Sequence, residues 1–321
     1  MFPVRTAAFA FQFATIALRG LVMLLSLVAI KGSAAENAPK SAVKVTVTRD
    51  ITYASPGMIK LNCDVYSPFE RETHTSDTPR QANYPAVLVI HGGAWSSGSK
   101  LVVANYAMQL AKAGAVAIAI DYRHAPAHKF PAQVDDVRDA LVWVHDHANE
   151  WNIDLERIGL FGYSAGGHLA CMIATLVDEP LARVLETSQW TPDDARWKRL
   201  PAIKAVVAGG PPCVFTHLAP DNRGLEFFLG GSRAEKPKTY AAASPTTFAS
   251  KGDCAVCFIH GERDFIVPIE SSRSLFEAQI ACGVNSEFVT IEKQGHMITF
   301  LHPKTGQTLQ DYMSRQLGMS R

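Results

Sequence analysis

Gly162-Tyr163-Ser164-Ala165-Gly166 fits the pattern G-x-S-x-G, with the apolar run "RIGLF" before it and "GHLACMIATL" after it. A serine hydroxyl becomes a useful nucleophile only when a neighbouring base takes its proton. It must also be lifted clear of its surroundings. A strand that reverses sharply into a helix does this, because the turn strains the central residue and leaves room only for small flanking residues. The helix then places its positive end and its free amides behind the hydroxyl, where a developing oxyanion needs them. On its own the five-residue stretch could equally be a tight turn that happens to contain a serine.

Three distant segments supply what such a serine would need. "VIHGGAWSSG", Val89 to Gly98, runs from an apolar strand into glycines. Its backbone can come close to a tetrahedral oxyanion, so Gly92 and Gly93, with the amide of Ala165, are the expected oxyanion donors. "IHGERDFIVP" places Asp264 in a loop after a strand, and "KQGHMITF" places His296 in a loop after the last strand. His296 would take the serine proton, and Asp264 would hold the imidazole in the required tautomer. The chain has 11 histidines, so residue type alone decides little. His302 is a rival base, and Glu262 and Asp253 are rival acids; placement at a strand end favours the first pair. Trp95 and Tyr163 flank these segments as candidate substrate-binding residues, although Trp95 could as well simply pack. His91 is read as ordering the glycine loop and His168 as packed behind the serine. No His/Cys/Asp/Glu spacing points to a metal site.

The elements that must position these residues follow from hydropathy. "VKVTVT" and "IKLNCDVYS" alternate and read as an edge hairpin. "PAVLVIHGG", "AVAIAIDYR", "RIGLFGYS", "IKAVVAGG" and "CAVCFIHG" are apolar almost throughout, and "SEFVTIEKQGH" reads as a last strand. Between them lie helices at Ala104–Gly114, Pro131–Trp151, from Gly166, and at Glu270–Gly283, with a final one from Thr305. The helix at 131–151 is amphipathic, with an apolar stripe of Val134, Val137, Leu141, Val142 and Val144. Strands that are apolar on both faces and alternate with helices imply a mostly parallel central sheet with helices on both faces, an α/β fold. Glu70–Asn83 reads as a surface loop. Asp178–Leu200 and Phe215–Pro245 break the alternation, and both are expected to wall a pocket at the carboxyl edge of the sheet.

With 31 basic and 30 acidic residues the net charge is +1, which leaves no electrostatic footprint for nucleic acid. Residues 1–35 stand apart. Arg5 and Arg19 precede the apolar run Gly20–Ile30, which has the length of a signal-peptide core, and Ser33 and Ala35 fit a small-x-small cleavage site. The expectation is a signal peptide over 1–35, export to the periplasm or beyond, and a catalytic domain over 36–321. No stable membrane partner is expected after cleavage; the alternative is an uncleaved anchor. All six cysteines follow that segment, so disulfides are permitted in an exported chain. Cys254 and Cys257 of "CAVC" would lie on opposite faces of a strand, too far apart to bridge, and read as buried structural thiols.

Taken together, "HGGAW", "DYRHAPAHKFPAQVDDVRDALVWV", "GYSAGGHLA", "HGERDFIVP" and "GHMITF" resemble the α/β-hydrolase fold, across roughly Val45 to Leu317. Within it they resemble the branch that joins hormone-sensitive-lipase-like esterases to bacterial feruloyl and acetyl-xylan esterases. The resemblance implies ester hydrolysis without metal or other cofactor, through an acyl-enzyme on Ser164 with Asp264 and His296. It also implies oxyanion amides from Gly92, Gly93 and Ala165. Two positions depart from the pattern. The third glycine usual after "HGG" is Ala94, which still offers an amide, and the acidic residue usual after "DYRLAP" is Ala127. The chain also lacks long amino-terminal cap helices, which implies no large cap and a fairly open cleft.

The expected function is therefore that of an exported serine carboxylesterase acting on short-chain or aryl esters, including acetyl or feruloyl groups on polysaccharides. A serine hydrolase of amide or peptide bonds, or a lipase, uses the same motifs. A non-catalytic binding protein on this fold would usually have lost a member of the Ser-Asp-His set, and all three residue types are present here.

Overall fold

The computed structural model describes residues 44–68 and 84–319. The expected signal peptide and the whole Glu70–Asn83 loop lie outside the described residues. Eight strands form one sheet: β1 (Thr46–Ala54), β2 (Leu61–Ser67), β3 (Tyr84–Ile90), β4 (Val116–Ile120), β5 (Ile153–Tyr163), β6 (Ile203–Gly209), β7 (Val256–Gly261) and β8 (Glu287–Ile291). Their order is β1-β2-β4-β3-β5-β6-β7-β8. β1 pairs antiparallel with β2, and β2 antiparallel with β4. All pairs from β4 to β8 are parallel. The expected hairpin is thus the edge of an otherwise parallel sheet, and the architecture is that of an α/β-hydrolase.

Period-two alternation sorts the strand residues between two cores. Leu88, Ile90, Ile118 and Ile120 face one core, together with residues of α2 (Ala132–Asp146), α3 (Ala165–Thr175) and α7 (Ile269–Ala281). Val87, Val89, Ala117 and Ala119 face the other, against α1 (Ala104–Lys112) and α9 (Pro303–Leu317). The alanines of β4 leave room for α1 to settle closely with Ala107, Leu110 and Ala111. The shorter helices are α4 (Leu181–Val184), α5 (Glu226–Leu229), α6 (Pro237–Ala242) and α8 (His296–Leu301). No helix among the described residues is long and apolar enough to cross a membrane.

Two sequence expectations need correction. α2 is not half-exposed: Asp135, Asp136, Arg138 and Asp139 are buried along with its apolar stripe. The first insertion lies over three of them, while Asp136 is paired with Arg123 from the segment after β4. Asp135 accepts hydrogen bonds from Ser188 Oγ and from the Gln189 amide, both at 2.6 Å. Arg138 donates to Thr187 O at 2.7 Å, and Arg196 donates to Asp139 at 2.7 Å. This insertion therefore does not wall the pocket. With Ile173, Leu176 and Ile203 it lines a groove at the amino end of the strands. Cys254 lies just outside β7, and the two "CAVC" cysteines belong to opposite cores. Burial pushes both thiols up to about 12.

Candidate active site

Ser164 links β5 to α3 with φ 55° and ψ −119°, a left-handed backbone that a side chain rarely adopts. Packing compels the turn. A Cβ at Gly162 would lie 2.1 Å from Gly166 O, and one at Gly166 would lie 2.2 Å from Ile90 O. Only glycine allows strand, turn and helix to pack this closely. The Ser164 amide is fixed by Gly209 O at 2.7 Å, and its carbonyl accepts the His168 amide at 2.9 Å, starting α3 directly behind the serine.

Asp264 and His296 come together as expected, with His296 Nδ1 2.5 Å from Asp264 Oδ2. The other carboxylate oxygen, Oδ1, accepts the amides of Ile266 at 3.0 Å and Val267 at 2.9 Å. Burial by itself would push the Asp264 carboxyl up. Hydrogen bonds from His260 and His296, the charge of His296 and the Val267 amide outweigh it and hold the group well below the usual carboxylate range. His296 does not sit in a loop; it is the first residue of α8. Its Nε2 is buried and has no hydrogen-bond partner among the described residues. The imidazole lies against Gly210, where a Cβ would be 2.9 Å from His296 Cε1. Because Gly209 holds the Ser164 amide, the serine and the imidazole flank the same two residues at the end of β6. The rivals are placed elsewhere. His302 accepts the Lys304 amide at the start of α9, Glu262 accepts the Lys293 amide, and Asp253 binds Gln279 at the amino end of β7.

The glycine loop passes on the other side of the serine. A Cβ on Gly92 would be 3.2 Å from Ser164 Cβ. Among the described residues, the amides of Gly92, Gly93 and Ala165 have no acceptor. His91 is fully buried and stacks on Tyr122, with ring centroids 4.2 Å apart. Its Nδ1 is 2.7 Å from Gly92 O, so Nδ1–H donates and the loop is held. Burial drives the His91 pKa down to about 4, which keeps the ring neutral. Ala94 and Trp95 continue the loop at φ 51° and 57°.

Trp95 both packs and lines the pocket. Its ring stacks on Phe228 at 4.2 Å, and its Nε1 donates to His168 Nδ1 at 3.1 Å. His168 in turn donates from Nε2 to Ala243 O at 2.8 Å, and burial lowers its pKa to about 4. Beside Ser164 is an apolar cavity of about 50 Å³, walled by Ala94, Trp95, Phe215, Leu218, Leu225 and Val267 among others. The second insertion supplies Phe215, Leu218 and Leu225, as expected. It closes the site on this side, so the cleft is less open than expected.

Tyr163 does not line this cavity. It is the last residue of β5, and its side chain turns away from the mouth, donating from Oη to His296 O at 2.6 Å. It supports the base from beneath. Ala127 is exposed on the loop before α2. His260 went unnoticed in the sequence. It is fully buried, with Nε2 2.8 Å from Val267 O and 3.3 Å from Asp264 Oδ2. Its Nδ1 is 2.7 Å from Ser272 Oγ. Two carbonyl-type acceptors face Nε2, so that nitrogen carries the proton and His260 clamps the Asp264 loop shut. A histidine four residues before the acid, at the end of β7, was the available signal.

Comparison with known proteins agrees with this geometry. The BD-FAE family model matches residues 75–279. A probable carboxylic ester hydrolase, LipM of Mycobacterium tuberculosis, is 29% identical over 224 residues, covering 66% of this chain and 50% of LipM. An arylesterase of Saccharolobus solfataricus is 37% identical over 113 residues, 35% of this chain and 34% of that protein. The chain spans about half the length of the mycobacterial relatives it matches. Among solved structures, a truncated carbohydrate esterase from gut microbiota superposes with a TM-score of 0.72 at 24% identity, covering 88% of this chain and all of that one. The chain belongs to the BD-FAE family and carries the α/β-hydrolase fold.

Proposed function

We propose that the chain is a serine carboxylesterase for esters with short acyl groups. One observation carries the reading: a strained Ser164 stands between a base tied to a buried carboxylate and a loop whose amides are unused. Ser164 Oγ attacks the ester carbonyl as its proton passes to His296 Nε2. The amides of Gly92, Gly93 and Ala165 receive the oxyanion. His296 then gives its proton to the departing alcohol, leaving an acyl group on Ser164. Water, activated by the same imidazole, releases the acid. Asp264, held ionised, fixes Nδ1–H and stabilises the imidazolium in both steps.

The acyl group enters the cavity beside Ser164. Its volume of about 50 Å³ is roughly a third of the ~150 Å³ apolar cavity that holds a benzene ring, which favours acetyl over long chains. Two alcohol classes are supported by the names of similar proteins: a phenol-type alcohol by the arylesterase, and a sugar hydroxyl on a polymer by the carbohydrate esterase. The sequence features of residues 1–35 support export, and the amino-terminal sequence of the purified protein tests it. Turnover of 4-nitrophenyl acetate tests the chemistry. Ser164→Ala should lower kcat by roughly a million-fold with folding unchanged. Equal rates for the two proteins would overturn the reading.

A further inference from the structure

Large apolar side chains are exposed where the base and its acid meet. Phe265 and Ile266 follow Asp264 and are 92% and 50% exposed. Met297 and Ile298 follow His296 and are 59% and 54% exposed, and Leu301, one turn on, is 70% exposed. The outward face of α8 is therefore apolar, the reverse of an ordinary surface helix. The Asp264–His296 bond and the Arg263 amide, which donates to Gln294 O at 2.9 Å, lash the two segments side by side. Single exposed apolar residues are commonplace, but such a group at the mouth of a site marks a binding surface.

The direction of the chemistry says what binds there. The acyl cavity runs from Ala94, Trp95 and Phe215 to Ile266 and Val267 of the acid loop, and neither His296 nor the rest of α8 takes part in its wall. The imidazole must protonate the departing alcohol, so the alcohol oxygen comes within hydrogen-bond reach of Nε2. The rest of the alcohol then leaves the site past α8 and Phe265, which lie outside the acyl cavity's wall. From this placement, and resting on the serine-esterase reading, we infer that Phe265, Met297 and Ile298 form the alcohol subsite. It takes a bulky apolar alcohol, aromatic or branched alkyl, paired with a small acyl group. The preferred substrates are thus lopsided esters, small on the acid side and large and greasy on the alcohol side. Sugar hydroxyls, whose rims need hydrogen-bonding partners, are the poorer leaving groups here.

The experiment compares kcat/KM for benzyl acetate, methyl acetate and acetylated xylo-oligosaccharide, with fluorophosphonate labelling of Ser164 run in parallel. The wild type should favour benzyl over methyl acetate at least tenfold and should rank the oligosaccharide ester below benzyl acetate. Phe265→Ser and the double variant Met297→Ser/Ile298→Ser should cut that ratio by about tenfold, through a rise in KM for benzyl acetate that exceeds any change for methyl acetate. Met58→Ser, at a site 90% exposed elsewhere on the surface, controls for loss of exposed apolar area and should leave the ratio alone. If Ser164 takes the label while benzyl and methyl acetate turn over equally, or the variants keep the wild-type ratio, the alcohol subsite is overturned and the esterase reading stands. Preference for the oligosaccharide ester overturns it in the same way. Absence of both labelling and turnover overturns both.

Discussion

Two insertions interrupt the α/β alternation, and they do opposite things. Residues 178–200 lie at the amino end of the strands and are held by buried charge: Asp135 with Ser188 and Gln189, Arg138 with Thr187, and Asp139 with Arg196. Residues 215–245 lie at the carboxyl end and meet the catalytic side through aromatic and aliphatic surface, Phe228 on Trp95 and Phe215 beside Ser164. Polar cement makes the distal end rigid and specific in register. Apolar contact makes a dry wall beside the nucleophile, where electrostatic effects are strongest. A break in alternation thus marks an insertion without saying which end of the sheet it covers.

The comparison can be broken at the distal end first. Arg138→Leu removes a guanidinium that is 3% exposed and leaves Asp135 buried with an uncompensated charge. The cost should be about 3–5 kcal/mol, read as a lowered midpoint in denaturant, while kcat of the folded enzyme stays within twofold. A large fall in kcat would mean that the distal cement reaches the catalytic end.

Acid should act on the catalytic end. His91 and His168 are buried neutral, with folded pKa values of about 4 against about 6.5 unfolded. The unfolded chain binds the extra protons, so stability is full above pH 6.5 and is lost as pH falls toward 4. The loss should be roughly 3 kcal/mol for each ring. Denaturant titrations across that range should show the slope, and His168→Gln should flatten it by about half; an unchanged slope would remove His168 from the account.

A smaller effect is expected at the clamp on the acid. His260→Leu frees the 264–267 loop and lets the carboxylate drift from the imidazole. kcat should fall by up to about a hundredfold with KM little changed, and a wild-type kcat would reduce His260 to a packing residue. The smallest effect is a gain. Ala94 sits at φ 51°, where the third glycine of the family pattern would sit without strain. Ala94→Gly should stabilise the fold by about 1 kcal/mol in thermal unfolding and leave the amide in place.

The parallel sheet, the elbow and the pairing of Asp264 with His296 were all legible in the sequence, because each rests on a local pattern. Apolar runs end in glycines, a serine sits between glycines, and an acid and a histidine follow strands. What was illegible depends on partners far along the chain. The buried acids and Arg138 of α2 look like a solvent face until residues 187–196 arrive to cover them. Tyr163 occupies the variable position of the serine pattern, and only the geometry of the β5 end shows its side chain turning toward α8. His260 could not be told from ten other histidines by type.

Trp95 belongs at once to the proposed oxyanion loop and to the wall of the apolar cavity beside Ser164, and its ring is held by the stack on Phe228. In the proposed esterase, size selection and catalytic power are therefore not independent dials. Trimming Phe228, which backs Trp95 without lining the cavity, would loosen the tryptophan and carry the disturbance into the backbone that bears Gly93 and Ala94. Leu218 lines the same cavity outside α5, the helix that carries Phe228, so enlargement there would widen the sieve with less disturbance of the stack. A designer seeking longer acyl chains has a route through the aliphatic wall, and the aromatic one leads to a slower enzyme.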